Sequence, residues 1–252
     1  MAIGSNVLFR IFAIIQEDGT RFKRAYSKAQ LAGTIVTLPA FAGLIVAAPQ
    51  FITVVFGEKW LPAVIPFQLL CASGALRRVT AYASAAVQAS GRIWGEVWRK
   101  VAQVALIVGL VFAFRGWGIE GAAFGVLLSS LVLSILMQGL VRQIFELTWR
   151  EQSIPLLPST FAAAATASAI WAATLLTQHL DPAISAFILF PIQIVAGGVV
   201  WILFTLYVRF GALQDVVDEV LDDVVPAFVR AHVDRFRPRA ANAASRQDPA
   251  RP

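Results

Sequence analysis

Apolar residues run in long uncharged blocks along this chain, separated by short clusters of Lys, Arg, Asp and Glu. The blocks 31–56, 121–141, 153–180 and 182–208 carry no Asp, Glu, Lys or Arg. A helix rises about 1.5 Å per residue, so crossing a hydrocarbon core of about 30 Å takes roughly 20 apolar residues, and each block is long enough. Two more blocks need a concession: 61–91 is broken by Arg77 and Arg78, and 101–114 reaches full length once 94–100 supplies its first turns. The opening block, 2–16, is apolar except for Arg10 but reaches only about 22 Å. It has neither the basic start nor the small-residue cleavage site of a signal peptide, so it reads as the end of a span, with a natural chain expected to begin further upstream. Seven helices follow, near 2–16, 31–52, 64–90, 95–115, 119–141, 154–178 and 184–208. Pro62, Pro66, Pro155 and Pro158 fall at helix starts, where a missing N–H costs least, whereas Pro39 and Pro191 fall inside spans and each free a carbonyl that a neighbour or water must satisfy.

After the last block the pattern changes. From Leu213, the residues Val216, Val217, Val220, Leu221, Val224 and Val225 recur at helical spacing, with Asp215, Asp218, Glu219, Asp222 and Asp223 on the other face. An acidic face suits water better than anionic lipid, so 211–235 is expected to be a solvated helix on the cytoplasmic side. The stretch 236–252 has no periodicity and is expected to be disordered. Residues 1–210 form the membrane bundle.

Composition agrees with the spans and removes the alternatives. Hydrophobic residues make up 58% of the 252 and charged residues 14%, with a mean hydropathy of +0.71; a soluble domain carries about 25% charged residues. Only 22 charges fall on the first 208 residues. Such a body cannot cover itself with polar groups, which excludes a soluble globular enzyme and leaves an all-α polytopic membrane protein. The net charge of +6 does not point to nucleic acid, because Lys and Arg alternate between rich and poor loops at every step. Arg21, Lys23, Arg24 and Lys28 are followed by Lys59 alone, then Arg92, Arg99 and Lys100, then Arg115 alone, then Arg142 and Arg150. Basic loops stay cytoplasmic, so the first helix enters the cytoplasm and the last ends there. Cys71 is the sole cysteine, which rules out an internal disulfide.

Motifs of soluble enzymes and cofactor sites are missing: there is no Walker A loop, no zinc-protease motif and no Ser-His-Asp set. Gly116, Gly118 and Gly121 spell G-x-G-x-x-G, but a membrane helix precedes them and the next acidic residue is Glu146, so they read as a tight outer turn in which Gly121 and Gly125 begin a small-residue packing face. No cofactor or metal is expected. Charges inside the membrane are more informative. Arg77 and Arg78 lie about 18 Å into their helix, near mid-depth, where an Arg costs about 2.5–3.5 kcal/mol unless it meets a cavity or a partner. No Asp or Glu lies at that depth, so the counter-ion is either an anionic ligand or residues outside this chain. Backbone carbonyls and snorkelling are the structural alternative. Tyr82, one turn on, is a candidate for lining the same cavity, with aromatic core packing as the default alternative, and Gln68 and Gln88 are weaker candidates. Arg10 lies close enough to a helix end to snorkel.

The runs VLFRIFAIIQEDGTRFKRAYSKAQ, ITVVFGEKWLPAVIPFQLL, VQASGRIWGEVWRK and GWGIEGAAFGVLLSSLV resemble the C-terminal half of bacterial lipopolysaccharide and polysaccharide flippases. These belong to the multidrug/oligosaccharidyl-lipid/polysaccharide exporter superfamily. The resemblance covers about residues 5–140, and FGEKW at 56–60 and ASGR at 89–92 are its most specific pieces. Arg10 departs from it, standing where many relatives have proline. The resemblance implies one lobe of a two-lobe exporter in the bacterial inner membrane that flips undecaprenyl-diphosphate-linked oligosaccharide, with an N-terminal lobe still to be supplied. It implies no enzymatic step, and it places Arg77 and Arg78 at the diphosphate. A multidrug or metabolite antiporter of the same superfamily, and a non-transporting scaffold for glycan-synthesis enzymes, are the alternatives.

Overall fold

A computed structural model describes residues 12, 19–180 and 185–209. The chain divides into two units, Met1–Val208 and Arg209–Pro252, and the fold described here is that of the first. The expected helix at 211–235, the tail, Arg10 and all of the first span but Phe12 lie outside the described residues.

Among the described residues every element is helical: α1 (Gly19–Val46), α2 (Ala48–Phe56), α3 (Val64–Ala89), α4 (Ile93–Ala113), α5 (Gly118–Phe145), α6 (Trp149–Ser153), α7 (Leu157–Leu180) and α8 (Ala186–Arg209), with short 3₁₀ turns at Glu58–Ala63, Arg115–Trp117 and Ile154–Leu156. Among the described residues five helical stretches are long and apolar enough to cross a membrane. α4 has the length but starts with Glu96, Arg99 and Lys100.

The helix boundaries follow the apolar runs at α3, α5 and α8 and depart from them at α1, which begins at Gly19 and not near residue 31. The reason lies in the basic stretch itself. Phe22 and Tyr26 are one turn apart and fully buried, and Phe22 stacks on Phe145 with ring centroids 3.6 Å apart. Phe12 joins both rings at 5.4 and 6.2 Å. Two rings from elsewhere in the chain, Phe12 and Phe145, thus hold a helix that hydropathy alone assigns to a loop.

The large helices pack in the order α4, α5, α3, α1, α7, and α8 is tied to α1 and α7 by side chains. With no hydrophobic force between helices in lipid, small residues and hydrogen bonds make the contacts. Gly33 of α1 faces the Tyr82 hydroxyl of α3, Gly125 of α5 faces Leu110 of α4, and Gly197 of α8 faces Ile170 of α7. Thr34 of α1 shares a 2.8 Å bond with Ser159 of α7, and Ser73 of α3 one of 2.8 Å with Ser130 of α5. Two motif glycines are explained by backbone shape: Gly57 (φ 90°) closes α2 and Gly91 (φ 73°) turns α3 into α4, conformations that cost other residues about 1–2 kcal/mol.

Both proline-freed carbonyls in the first hairpin are satisfied. Pro39 lies inside α1 and removes the donor for Ile35, whose carbonyl accepts from Trp201 Nε1 of α8 at 3.0 Å. Pro49 does the same to Ile45, whose carbonyl accepts from Gln68 Nε2 of α3 at 2.8 Å. Gln68 is therefore a structural donor. Replacing Trp201 by Phe keeps the ring and leaves a buried carbonyl unpaired, so the chain in detergent micelles is expected to lose about 1–3 kcal/mol. Trp171→Phe, at a 61% exposed site, is expected to leave the unfolding midpoint unchanged. Pro39→Ala restores an N–H to Ile35, so Pro39→Ala/Trp201→Phe is expected to recover most of the loss; simple additivity of the two changes would refute the pairing.

Candidate functional site

Arg77 and Arg78 lie halfway along α3, about 20 Å from its start. The helix turns 100° between them, and the structure sends them to opposite neighbours. Arg77 is exposed and its Nε lies 3.5 Å from Ser130 Oγ of α5. Arg78 is half-buried on the α1 side beside the Tyr82 hydroxyl, and its enclosed Nε has no hydrogen-bond partner among the described residues. Tyr82 is buried against Gly33. No Asp or Glu is paired with either arginine among the described residues.

A cavity of about 650 Å³ runs between α1, α3, α5, α6 and α7. Leu38, Phe41 and Ile45 of α1 and Ala72, Ala75, Leu76 and Val79 of α3 make its apolar part; Ser134, Gln138, Trp149, Gln152, Ser153 and Thr160 make its polar end. Neither arginine nor Tyr82 is part of this lining. At 100° per residue, Arg77 points about 150° and Arg78 about 110° away from the mean direction of the four α3 residues that line it. Arg77 instead shares an outward stripe of α3 with Leu70, Ala81 and Gln88, all exposed. Gln88 donates from Nε2 to the buried Glu96 Oε1 at 3.1 Å, and Glu96 also pairs with Lys100, so neither glutamine of α3 reaches the cavity.

The polar end of the cavity is not among the sequence-based expectations. Tyr26 Oη donates to Gln138 Oε1 at 3.1 Å and Gln152 Nε2 donates to the Gln138 carbonyl at 3.3 Å, which joins α1, α5 and α6. Lys23 reaches the Glu146 carbonyl at 3.2 Å and Glu151 at 3.4 Å, pinning α6 at the Lys/Arg-rich end of the bundle. α6 is started by a capping box between Thr148 and Glu151. Arg142 sits 6.0 Å from the Trp149 ring. Gln30, fully buried on the Tyr26–Thr34 row of α1, leaves both amide atoms unpartnered among the described residues. The signal that could have found this end is the row Ser130, Ser134, Gln138: polar residues every fourth position on an apolar helix mark one face as something other than lipid-facing.

A family model described as polysaccharide biosynthesis protein matches residues 2–65. An uncharacterized membrane protein in the cps region of Klebsiella pneumoniae is 30% identical over 133 residues, 52% of this chain and 27% of that protein. The lipopolysaccharide biosynthesis protein WzxC of Escherichia coli (strain K12) is 32% identical over 133 residues, with the same shares. The teichuronic acid biosynthesis protein TuaB of Bacillus subtilis (strain 168) is 35% identical over 75 residues, 30% of this chain and 16% of that protein. The aligned part of the chain spans about a quarter of the length of the first two relatives. No solved structure matches the chain. The chain is a multi-pass membrane protein, with five described helices long and apolar enough to cross a membrane, and over part of its length it is similar to polysaccharide biosynthesis proteins.

Proposed function

We propose that this chain supplies one wall of a transporter that moves a lipid-linked saccharide across a membrane for polysaccharide biosynthesis. The observation that carries the reading is Arg77: a cation at the middle of a membrane helix, on an outward face, held among the described residues by Ser130 Oγ alone. Such a charge is unfavourable against lipid by about 2.5–3.5 kcal/mol on the insertion scale, and an anionic group passing that face removes the penalty. The guanidinium fork bonds two phosphate oxygens at once. The cargo in this reading is an undecaprenyl-diphosphate-linked oligosaccharide, a choice that the likeness to polysaccharide biosynthesis proteins supports, with Arg78 adding a second positive charge at the same depth and Tyr82 fixing its position. In this reading a second lobe forms the facing wall, the membrane is the bacterial inner membrane and the Lys/Arg-rich end of the bundle is cytoplasmic. No bond is made or broken.

The test is surface polysaccharide export by the full-length protein. Losing a charged hydrogen bond of about 1.5–3 kcal/mol predicts about a tenfold or greater drop for Arg77→Ala at unchanged protein level. Arg77→Lys keeps the charge without the fork and is expected to fall between the two. Normal export by Arg77→Ala, at normal abundance, overturns the reading.

A further inference from the structure

The cavity on the other side of α3 has a chemistry that the arginines do not share. Among the described residues, none that lines it carries a formal charge. Its deep part is apolar, and its polar end presents two amides, hydroxyls and an indole at the Lys/Arg-rich end of the bundle. Gln152 is 3% exposed; its Nε2 is committed to the Gln138 carbonyl and its Oε1 has no hydrogen-bond partner among the described residues. A buried acceptor without a donor is unfavourable, and a ligand that brings one removes the penalty.

We infer that this cavity is a binding site for a neutral amphiphile with a hydroxyl-bearing head, separate from the path past Arg77. The head lies among Ser134, Gln138, Trp149, Gln152 and Thr160, with a hydroxyl donating to Gln152 Oε1, and the hydrocarbon lies along Phe41, Leu76 and their neighbours. Three features select this class. Amides and hydroxyls both donate and accept, as the hydroxyls of a sugar or a glyceride do. Phosphate is matched by cationic donors, and the lining has none among the described residues. A volume near 650 Å³ is that of a pocket for a single small ligand. The inference does not depend on transport: the site can be present in a chain that exports nothing.

The test is native mass spectrometry of the full chain, purified in a polyoxyethylene detergent and titrated with dodecyl maltoside, dioctanoylglycerol or dodecylphosphocholine. At least one of the two neutral probes is expected to bind about tenfold more tightly than the phosphocholine, and which of them does so identifies a sugar or a glyceride as the natural head. Gln152→Leu is expected to abolish that preference, whereas Gln193→Leu, at a buried amide outside this cavity, leaves it intact. If Gln152→Leu does not fold, Thr160→Val takes its place and is expected to weaken the neutral probe about threefold or more. Equal or tighter binding of the phosphocholine overturns the site, and so does unchanged neutral binding by whichever folded variant is read.

Discussion

Gly33→Ala is expected to destabilise the chain by about 3 kcal/mol, the upper end of what overpacking a core does. A Cβ at Gly33 falls on the Tyr82 hydroxyl oxygen and 2.5 Å from the ring Cζ. Tyr82 is 6% exposed and lies against the half-buried Arg78, so the ring has little room to swing away and α1 must part from α3. The same substitution in an open helical position favours the helix by up to about 1 kcal/mol, which makes a net loss diagnostic of the contact. Gly139, with nothing within 4 Å of an added Cβ, is the control: Gly139→Ala is expected to be neutral or slightly stabilising. Tyr82→Leu shortens the opposing side chain, so Gly33→Ala/Tyr82→Leu is expected to be more stable than Gly33→Ala alone. The midpoint of thermal unfolding in micelles, followed by far-ultraviolet circular dichroism, reads all three. A Gly33→Ala protein as stable as the parent would show that α1 and α3 do not pack here.

Gly121→Ala is expected to be at least as damaging, for a different reason. The added Cβ meets the backbone carbonyl oxygen of Phe114, with Phe114 Cβ and Trp117 Cβ both at 3.0 Å. A side chain can change rotamer and a carbonyl in a tight turn cannot, so the turn between α4 and α5 has to open. The expected loss is about 3 kcal/mol or more, and no change of a single neighbouring side chain is expected to restore it. Gly125→Ala, one turn further, meets Leu110 Cβ at 3.1 Å and is expected to be milder. Equal midpoints for Gly121→Ala and Gly125→Ala would show that the turn is looser than the structure has it.

Gly121 is legible in the sequence alone, because it belongs to a small-residue face at helical spacing. Gly33 is not: its importance comes from Tyr82, 49 positions away, and nothing local separates it from Gly139. The same split runs through the fold. An uncharged run of 20 residues must be buried or span lipid, so α5, α7 and α8 are visible in hydropathy. α1 is not fully visible, because Phe22 and Tyr26 are ordered by Phe12 and Phe145, contacts that no window over the basic stretch can show. At the candidate site, the cost of a mid-membrane charge singles out Arg77 and Arg78 from one helix alone. Which way each points is set by Ser130 on α5 and Gly33 on α1, so their faces cannot be read from α3 alone, and the cavity on the other side of α3 is not signalled by them. Its polar end is assembled from three separate helices, and Gln152 in particular sits in a five-residue helix that hydropathy does not register.

The bond from Trp201 to the Ile35 carbonyl ties residues 166 positions apart, and this orders events during synthesis. At about 5–20 residues per second, Trp201 is made about 10 to 30 s after Ile35. Throughout that interval the carbonyl freed by Pro39 has no partner from its own chain, and bare hydrocarbon offers none. The first proline helix therefore waits beside water, an insertion-machinery donor or another polar group until α8 arrives, and the bundle closes from its last helix back onto its first.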